Sequence, residues 1–225
     1  MTASSPRRSL CPRCLRPMAT CLCPAVRSVA TQVQVLILMH PQEEHQAKGT
    51  ARLLHLCLPA SRLAVGEAFA AQELARLLQE PWCDSDARAP RHALLLYPPT
   101  PPDAQHPMPA PPPMPPDWLC TPERLRLVLL DGTWRKSRKM LWSNPALQSL
   151  PRMALRDVPA SRYIIRKAHA PHQLSTLEAT QRALQQLEPA NTGIAALGAA
   201  MQDLMARQRA YWPAARSAML NATDS

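Results

Sequence analysis

A chain of 225 residues, 46% hydrophobic but only 4% aromatic, can bury one α/β domain core of Leu, Ala, Val, Ile and Met, with room for a small accessory module. A net charge of +10 and a pI near 9.8 favour a polyanionic partner, nucleic acid before a membrane surface. No apolar run approaches the ~20 residues of a bilayer span, and no apolar stretch follows the basic start "MTASSPRRSL" as a secretory signal requires, so no membrane association and a cytoplasmic setting are expected, with cysteines reduced or metal-bound.

The charge is clustered at the start of the chain, where residues 1–27 hold Arg7, Arg8, Arg13, Arg16 and Arg27 and no acid. The same segment contains "CPRCLRPMATCLC", a C-x2-C pair followed by a C-x-C pair. Two close pairs of soft thiolates suit one tetrahedral, structural Zn²⁺ on Cys11, Cys14, Cys21 and Cys23. The expected organisation is a zinc module over 1–28 and a second domain over 29–225. Cys57, Cys83 and Cys120 are isolated and read as ordinary thiols.

"TQVQVLILMHP" starts in alternation and turns fully apolar, as a strand does when both faces are covered. "EEHQAKGTARLLHLCL" has Leu53, Leu54 and Leu58 at helical spacing, Lys48 and Arg52 on another face, and Gly49-Thr50 placed to cap. "SRLAVGE" is a short strand, "AFAAQELARLLQE" an amphipathic helix ended by Pro81, and "HALLLYP" a third strand. Residues 98–116 hold eleven prolines in nineteen positions, which excludes a helix or central strand and reads as a solvated, polyproline-like spacer. "RLRLVLLDGTW" is a fourth strand and "RKSRKMLW" its helix; "LPRMALRDVP" and "SRYIIRK" are short and extended. "STLEATQRALQQLE" carries a capping box, Ser175 with Glu178, and "TGIAALGAAMQDLMARQRAYW" is a last helix. Alternating strands and helices predict an α/β fold with a mainly parallel sheet and helices on both faces.

The most informative residues lie at the end of the fourth strand, inside the second basic segment. Residues 131–169 carry nine Arg or Lys against Asp131 and Asp157. In open α/β sheets ligands bind beyond the carboxyl ends of strands, where Asp131 sits beside Leu130. Gly132 permits close backbone approach, Thr133 can cap a helix whose N-terminus favours anions, and Trp134 offers a face for stacking. Arg135, Lys136, Arg138 and Lys139 can reach phosphates. On spacing alone the same residues fit a turn, a cap and a core tryptophan equally well.

"DGTWRKSRKM" resembles the signature of the DTW-domain family. "HP" after the first strand, "KGTARLL", "LLLYP", "NPALQSLPRMAL", "SRYIIRKA" and "LSTLEA" follow the family's order, and the cysteine cluster resembles that of bacterial members. The Pro-rich insertion at 98–116 and "RKAHAPHQ" depart from its pattern. The resemblance implies a DTW catalytic domain over 29–225 with a SPOUT-like knotted core. It implies a tRNA-uridine aminocarboxypropyltransferase that uses S-adenosylmethionine as donor and releases methylthioadenosine. With that chemistry Asp131 is the expected general base for the uridine imide proton. Tyr97, Pro98, Leu130, Gly132, Thr133, Trp134, Ser161, Tyr163, Arg166, Ser175, Thr176 and Glu178 are the expected donor-site residues, with Arg166 suited to a carboxylate or a phosphate. Lys48, Arg52, Arg135, Lys136, Arg138, Lys139, Arg162 and Lys167 are the expected contacts to tRNA. Two other readings fit the same features: a SPOUT-like RNA methyltransferase using the same donor, and a non-catalytic, zinc-stabilised RNA-binding protein. No protein partner is evident, and His40, His45, His55, His92, His169 and His172 show no metal spacing.

Overall fold

Five parallel strands form one sheet in the order β2-β1-β4-β3-β5 in the computed structural model, which describes residues 9–99, 108–155 and 174–223. The strands are β1 (Gln34–Met39), β2 (Ser61–Val65), β3 (His92–Leu96), β4 (Leu125–Asp131) and β5 (Arg152–Met153). All six residues of β1 are buried: Val35 to Met39 as an apolar run covered on both sides demands, and Gln34 with its side chain bonded to Arg126 and Asp86.

Side-chain alternation sorts the core into two layers. Val35, Ile37 and Met39 of β1 and Leu125, Leu127 and Leu129 of β4 face α1 (Ala51–Cys57), α6 (Thr176–Leu187) and α7 (Ala196–Thr223). Leu36, Leu38 and Val128 face α2 (Ala71–Gln79), α4 (Trp134–Ser143) and α5 (Pro145–Gln148). A short α3 (Asp84–Arg88) precedes β3. The α/β class, the parallel sheet and helices on both faces are as the alternation of elements required. Whether the chain is knotted depends on its threading, including residues 156–173, which lie outside the described residues.

The cysteine-bearing segment packs onto the first layer, with Leu22, Ala25 and Val29 in the same buried cluster as α1 and α7. Arg27 pairs with Asp203 of α7. In the Pro-rich stretch, residues 108–115 form neither helix nor strand, and Met108 and Met114 are half-buried against the two layers. The His92 ring stacks on Trp118 at 4.5 Å, fixing the far end of this connection beside the start of β3. Among the described residues, no helix is long and apolar enough to cross a membrane.

One cation lies inside the sheet. Arg126 of β4 is 1% exposed and its guanidinium donates to Gln34 Oε1 and to the carbonyls of Leu77 and Glu80, with the Trp82 ring 4.4 Å from its centre. Asp86 stands 3.8 Å from it and accepts hydrogen bonds from Arg91, Gln34 and the Trp82 amide. Burial alone would raise the Asp86 carboxyl, but these donors hold it far below the usual carboxylate range. A group depressed in this way stabilises the fold above its unfolded value near ~3.9, and the contribution disappears as pH falls towards the folded value. Asp86→Ala leaves a buried guanidinium short of its counter-charge and is expected to remove about 3 kcal/mol at pH 7 in urea unfolding. The gap between wild type and variant should narrow below pH ~4.

Candidate active site and metal centre

β1 and β4 run side by side, with Asp131 opposite Met39 and the His40 amide donating to the Asp131 carbonyl at 2.9 Å. After β1 the chain leaves for α1 on one face; after β4 it leaves for α4 on the other. Neighbouring strands with opposite exits open a crevice at their carboxyl ends, the position where α/β sheets bind ligands. Alternation along β4 points Asp131 to the α6 side, where its Oδ1 accepts a 2.6 Å hydrogen bond from Thr176 Oγ1. Asp131 is 6% exposed.

The crevice is a cleft of about 210 Å³ whose wall includes Glu43, Lys48, Asp131, Thr133, Lys136 and Thr176. Thr133 adopts the extended conformation of an N-cap, and its hydroxyl accepts from the Lys136 amide at 3.4 Å. Gly132 keeps the turn close: a Cβ there would stand 3.0 Å from the Lys136 Cβ, so the first turn of α4 would have to give by a few tenths of an ångström. Across the cleft Lys136 Nζ meets Glu43 at 2.7 Å. The first turn of α6 is doubly capped, by the Ser175–Glu178 box and by Thr50, whose hydroxyl accepts from the Leu177 amide at 3.3 Å.

On the other side of the β4 tip, Tyr97 and Trp134 stack with centroids 5.3 Å apart and planes 13° from parallel. Tyr97 is buried, which raises its phenol against the opposing pull of Ser137 and two arginines. Trp134 is 46% exposed, so one face of its indole is backed and part of the ring is open. Arg135 and Lys139 are exposed on α4. Lys139 and His40 both bind the Glu67 carboxylate, at 2.8 Å each, and together hold it below its usual range. His40 Nδ1 accepts from the Gln42 amide, so its Nε2 carries the proton donated to Glu67.

Among the described residues, the cluster that could hold a metal is Cys11, Cys14, Cys21 and Cys23, whose Sγ atoms all lie within 4.8 Å of one another. Cys11 and Cys23, and Cys14 and Cys21, are 3.7 Å apart at sulfur. A disulfide needs about 2.05 Å, whereas Zn–S bonds of about 2.3 Å in a tetrahedron separate sulfurs by about 3.8 Å. The four thiols therefore fit a tetrathiolate ion. The amides of Cys14 and Arg13 lower the Cys11 thiol, whereas burial raises those of Cys21 and Cys23, so it is the sulfur geometry that carries the metal reading.

The structure thus gathers Lys48, Asp131, Thr133, Lys136, Ser175 and Thr176 around one cleft, with Tyr97 and Trp134 as a separate pair beside the same strand tip. Pro98 is exposed and Leu130 half-buried against the α4-side layer. Glu178, expected at the donor site, has its carboxylate engaged by the Ser175 amide and hydroxyl, each at 2.9 Å. Arg52 pairs with Glu44 at 3.5 Å, and Arg138 is half-buried. Thr50 differs from its expected role: its backbone is helical at φ −103° and ψ −14°, and its side chain makes no cap bond to α1 but serves α6 instead. Ser161, Arg162, Tyr163, Arg166 and Lys167 lie outside the described residues. Glu43 and Gln46 line the cleft without a sequence signal, since nothing in their spacing marks the loop after β1 as a cleft wall.

The DTW domain model matches residues 8–209. Proteins named tRNA-uridine aminocarboxypropyltransferase 2 are similar to this chain. The one from Drosophila melanogaster is 34% identical over 190 residues, covering 81% of this chain and 68% of its own length. The Mus musculus protein is 30% identical over 192 residues, covering 82% and 58%. The chain therefore spans about two thirds of the fly relative and 58% of the mouse one. No solved structure gives a significant match.

Metal analysis of the purified protein is expected to find one zinc per chain. Cys14→Ser should leave well under one, and lower the melting temperature by about 5 °C or more, the shift that ~2 kcal/mol produces in a chain of this size.

Proposed function

The chain belongs to the DTW domain family, and from that premise we propose that it is a tRNA-uridine aminocarboxypropyltransferase, transferring the 3-amino-3-carboxypropyl group of S-adenosylmethionine to N3 of a uridine. The observation that carries this reading is Asp131: a carboxylate at the tip of a central strand, oriented by Thr176 and facing a cleft with cations in its wall. The names of the relatives supply the substrate class.

A uridine imide nitrogen becomes a nucleophile only as its proton leaves. Asp131 takes that proton while N3 bonds to the γ-carbon, the carbon–sulfur bond breaks, and its electron pair goes to sulfur in the departing methylthioadenosine. When bound, the donor supplies the electrophile, a carbon made reactive by the adjoining sulfonium. Thr176 keeps the carboxylate turned to the cleft, and the Lys136–Glu43 pair fixes the wall opposite α6. The open face of Trp134, backed by Tyr97, is a surface on which a base or adenine ring stacks. Arg135, exposed beyond it, holds phosphates, with Lys48 on the facing loop, while Lys139 keeps its pairing with Glu67. The zinc ion is structural, because four thiolates leave no open position for substrate.

Incubation with bulk tRNA and labelled donor, followed by nucleoside mass spectrometry, should give aminocarboxypropyluridine and methylthioadenosine. S-adenosylhomocysteine would mark a methyltransferase instead, and absence of turnover with salt-sensitive tRNA binding would mark a binding protein. Asp131→Asn preserves shape but removes the base; turnover should fall by about 10²–10⁴ with little change in affinity for donor or tRNA. A near-wild-type rate would reduce Asp131 to a turn residue.

A further inference from the structure

Arg16 belongs by sequence to the basic N-terminal arm, but its side chain turns inward. It lies in the six-residue loop between the two cysteine pairs. The backbone there is tightly folded: the Cys11 amide donates to the Arg16 carbonyl at 2.7 Å and the Leu15 amide to the Cys11 carbonyl at 2.8 Å. Leu15 is held at φ 59°, a left-handed conformation that a leucine adopts only when its surroundings impose it. The position of Arg16 is therefore set by the fold of the cysteine loop.

From that position one guanidinium collects three carbonyls of a single neighbouring segment. Nη1 donates to Ala47, and Nη2 donates to Gln46 at 2.9 Å and to Gly49 at 3.0 Å. Gly49 sits under the Gln46 carbonyl, where a Cβ would come within 3.2 Å of that oxygen and 3.9 Å of Arg16 Nη2. The segment is the loop after β1, which contributes Glu43, Gln46, Lys48, Gly49 and Thr50 to the cleft. It also ends in Thr50, which caps the helix carrying Thr176. A second support comes from Gln208 of α7, whose side-chain amide donates to the Ala47 carbonyl at 2.7 Å.

We infer that Arg16 is a positioning residue through which the four-cysteine centre sets the shape of the 43–50 loop, and so the affinity of the cleft for its donor. This rests on the transferase reading for its substrate but not for its geometry. Charge-assisted hydrogen bonds to three carbonyls fix both the height and the tilt of the loop, which one neutral amide from α7 cannot do. The N-terminal module thus acts on the cleft from behind, without entering it.

The test compares wild type, Arg16→Ala and Arg16→Lys in the full chain. Arg16→Ala should keep one zinc per chain, yet bind S-adenosylmethionine about 10–100-fold more weakly by calorimetry, with KM for the donor raised and kcat changed less. Arg16→Lys, which can satisfy one carbonyl, should recover part of the affinity. Hydrogen exchange should quicken at amides 46–50 in Arg16→Ala while β1 and β4 stay protected. If wild type shows no turnover of the donor, the functional reading fails, and the exchange pattern still decides the clamp. Unchanged donor affinity together with unchanged exchange at 46–50 would overturn it. Should Arg16→Ala not fold, Arg16→Lys carries the same measurements, with smaller effects expected and wild-type values again decisive against the clamp.

Discussion

The arrangement of the site depends on β1 and β4 being parallel neighbours whose chains depart to opposite faces of the sheet. Parallel pairing brings both carboxyl ends to one edge, and the divergent exits leave that edge uncovered between them. Into the gap come the loop after β1, the first turn of α4 and the capped start of α6. Because Asp131 keeps the alternation of the buried leucines on the α6 side, its carboxylate faces Thr176 and that side's loops; Trp134, at the start of α4, meets Tyr97 on the opposite layer. A shift of one residue in β4 would exchange these two partners.

Much of this was legible in the sequence. The apolar runs at 34–39 and 125–131 marked strands, the Ser175–Glu178 spacing marked a helix start, and the aspartate after an apolar run marked a strand tip. Long-range partnerships were not legible, because they depend on which loops fold over which strand end. Nothing local distinguishes Thr50 as a cap for its own helix from Thr50 as a cap for a helix more than a hundred residues away. Arg126 reads as a polar residue on a strand surface, and only the packing of residues 77–91 against it explains its burial.

Formal charge was the least transferable quantity. Arg16, Arg52, Arg126 and Lys136 all count towards the basic total, yet each has its charge engaged by carbonyls or a carboxylate within the protein. Removing them from the tally, together with Lys139 on Glu67, leaves a smaller set facing outward, with Arg135 on α4 the clearest member. The field that a polyanion meets is set by those residues and by their counter-charges, not by the sum over a segment.

The connection from β3 to β4 has a thermodynamic consequence of its own. Successive parallel strands are usually joined across a helix, whose own hydrogen bonds help to offset the order imposed on the crossover. Here eleven of nineteen residues are proline, and the described end is anchored by Trp118 on His92. Proline restricts φ in the unfolded chain as much as in the folded one. Much of the freedom that folding would otherwise remove from this stretch is already absent, so ordering it lowers stability less than ordering a flexible segment of equal length.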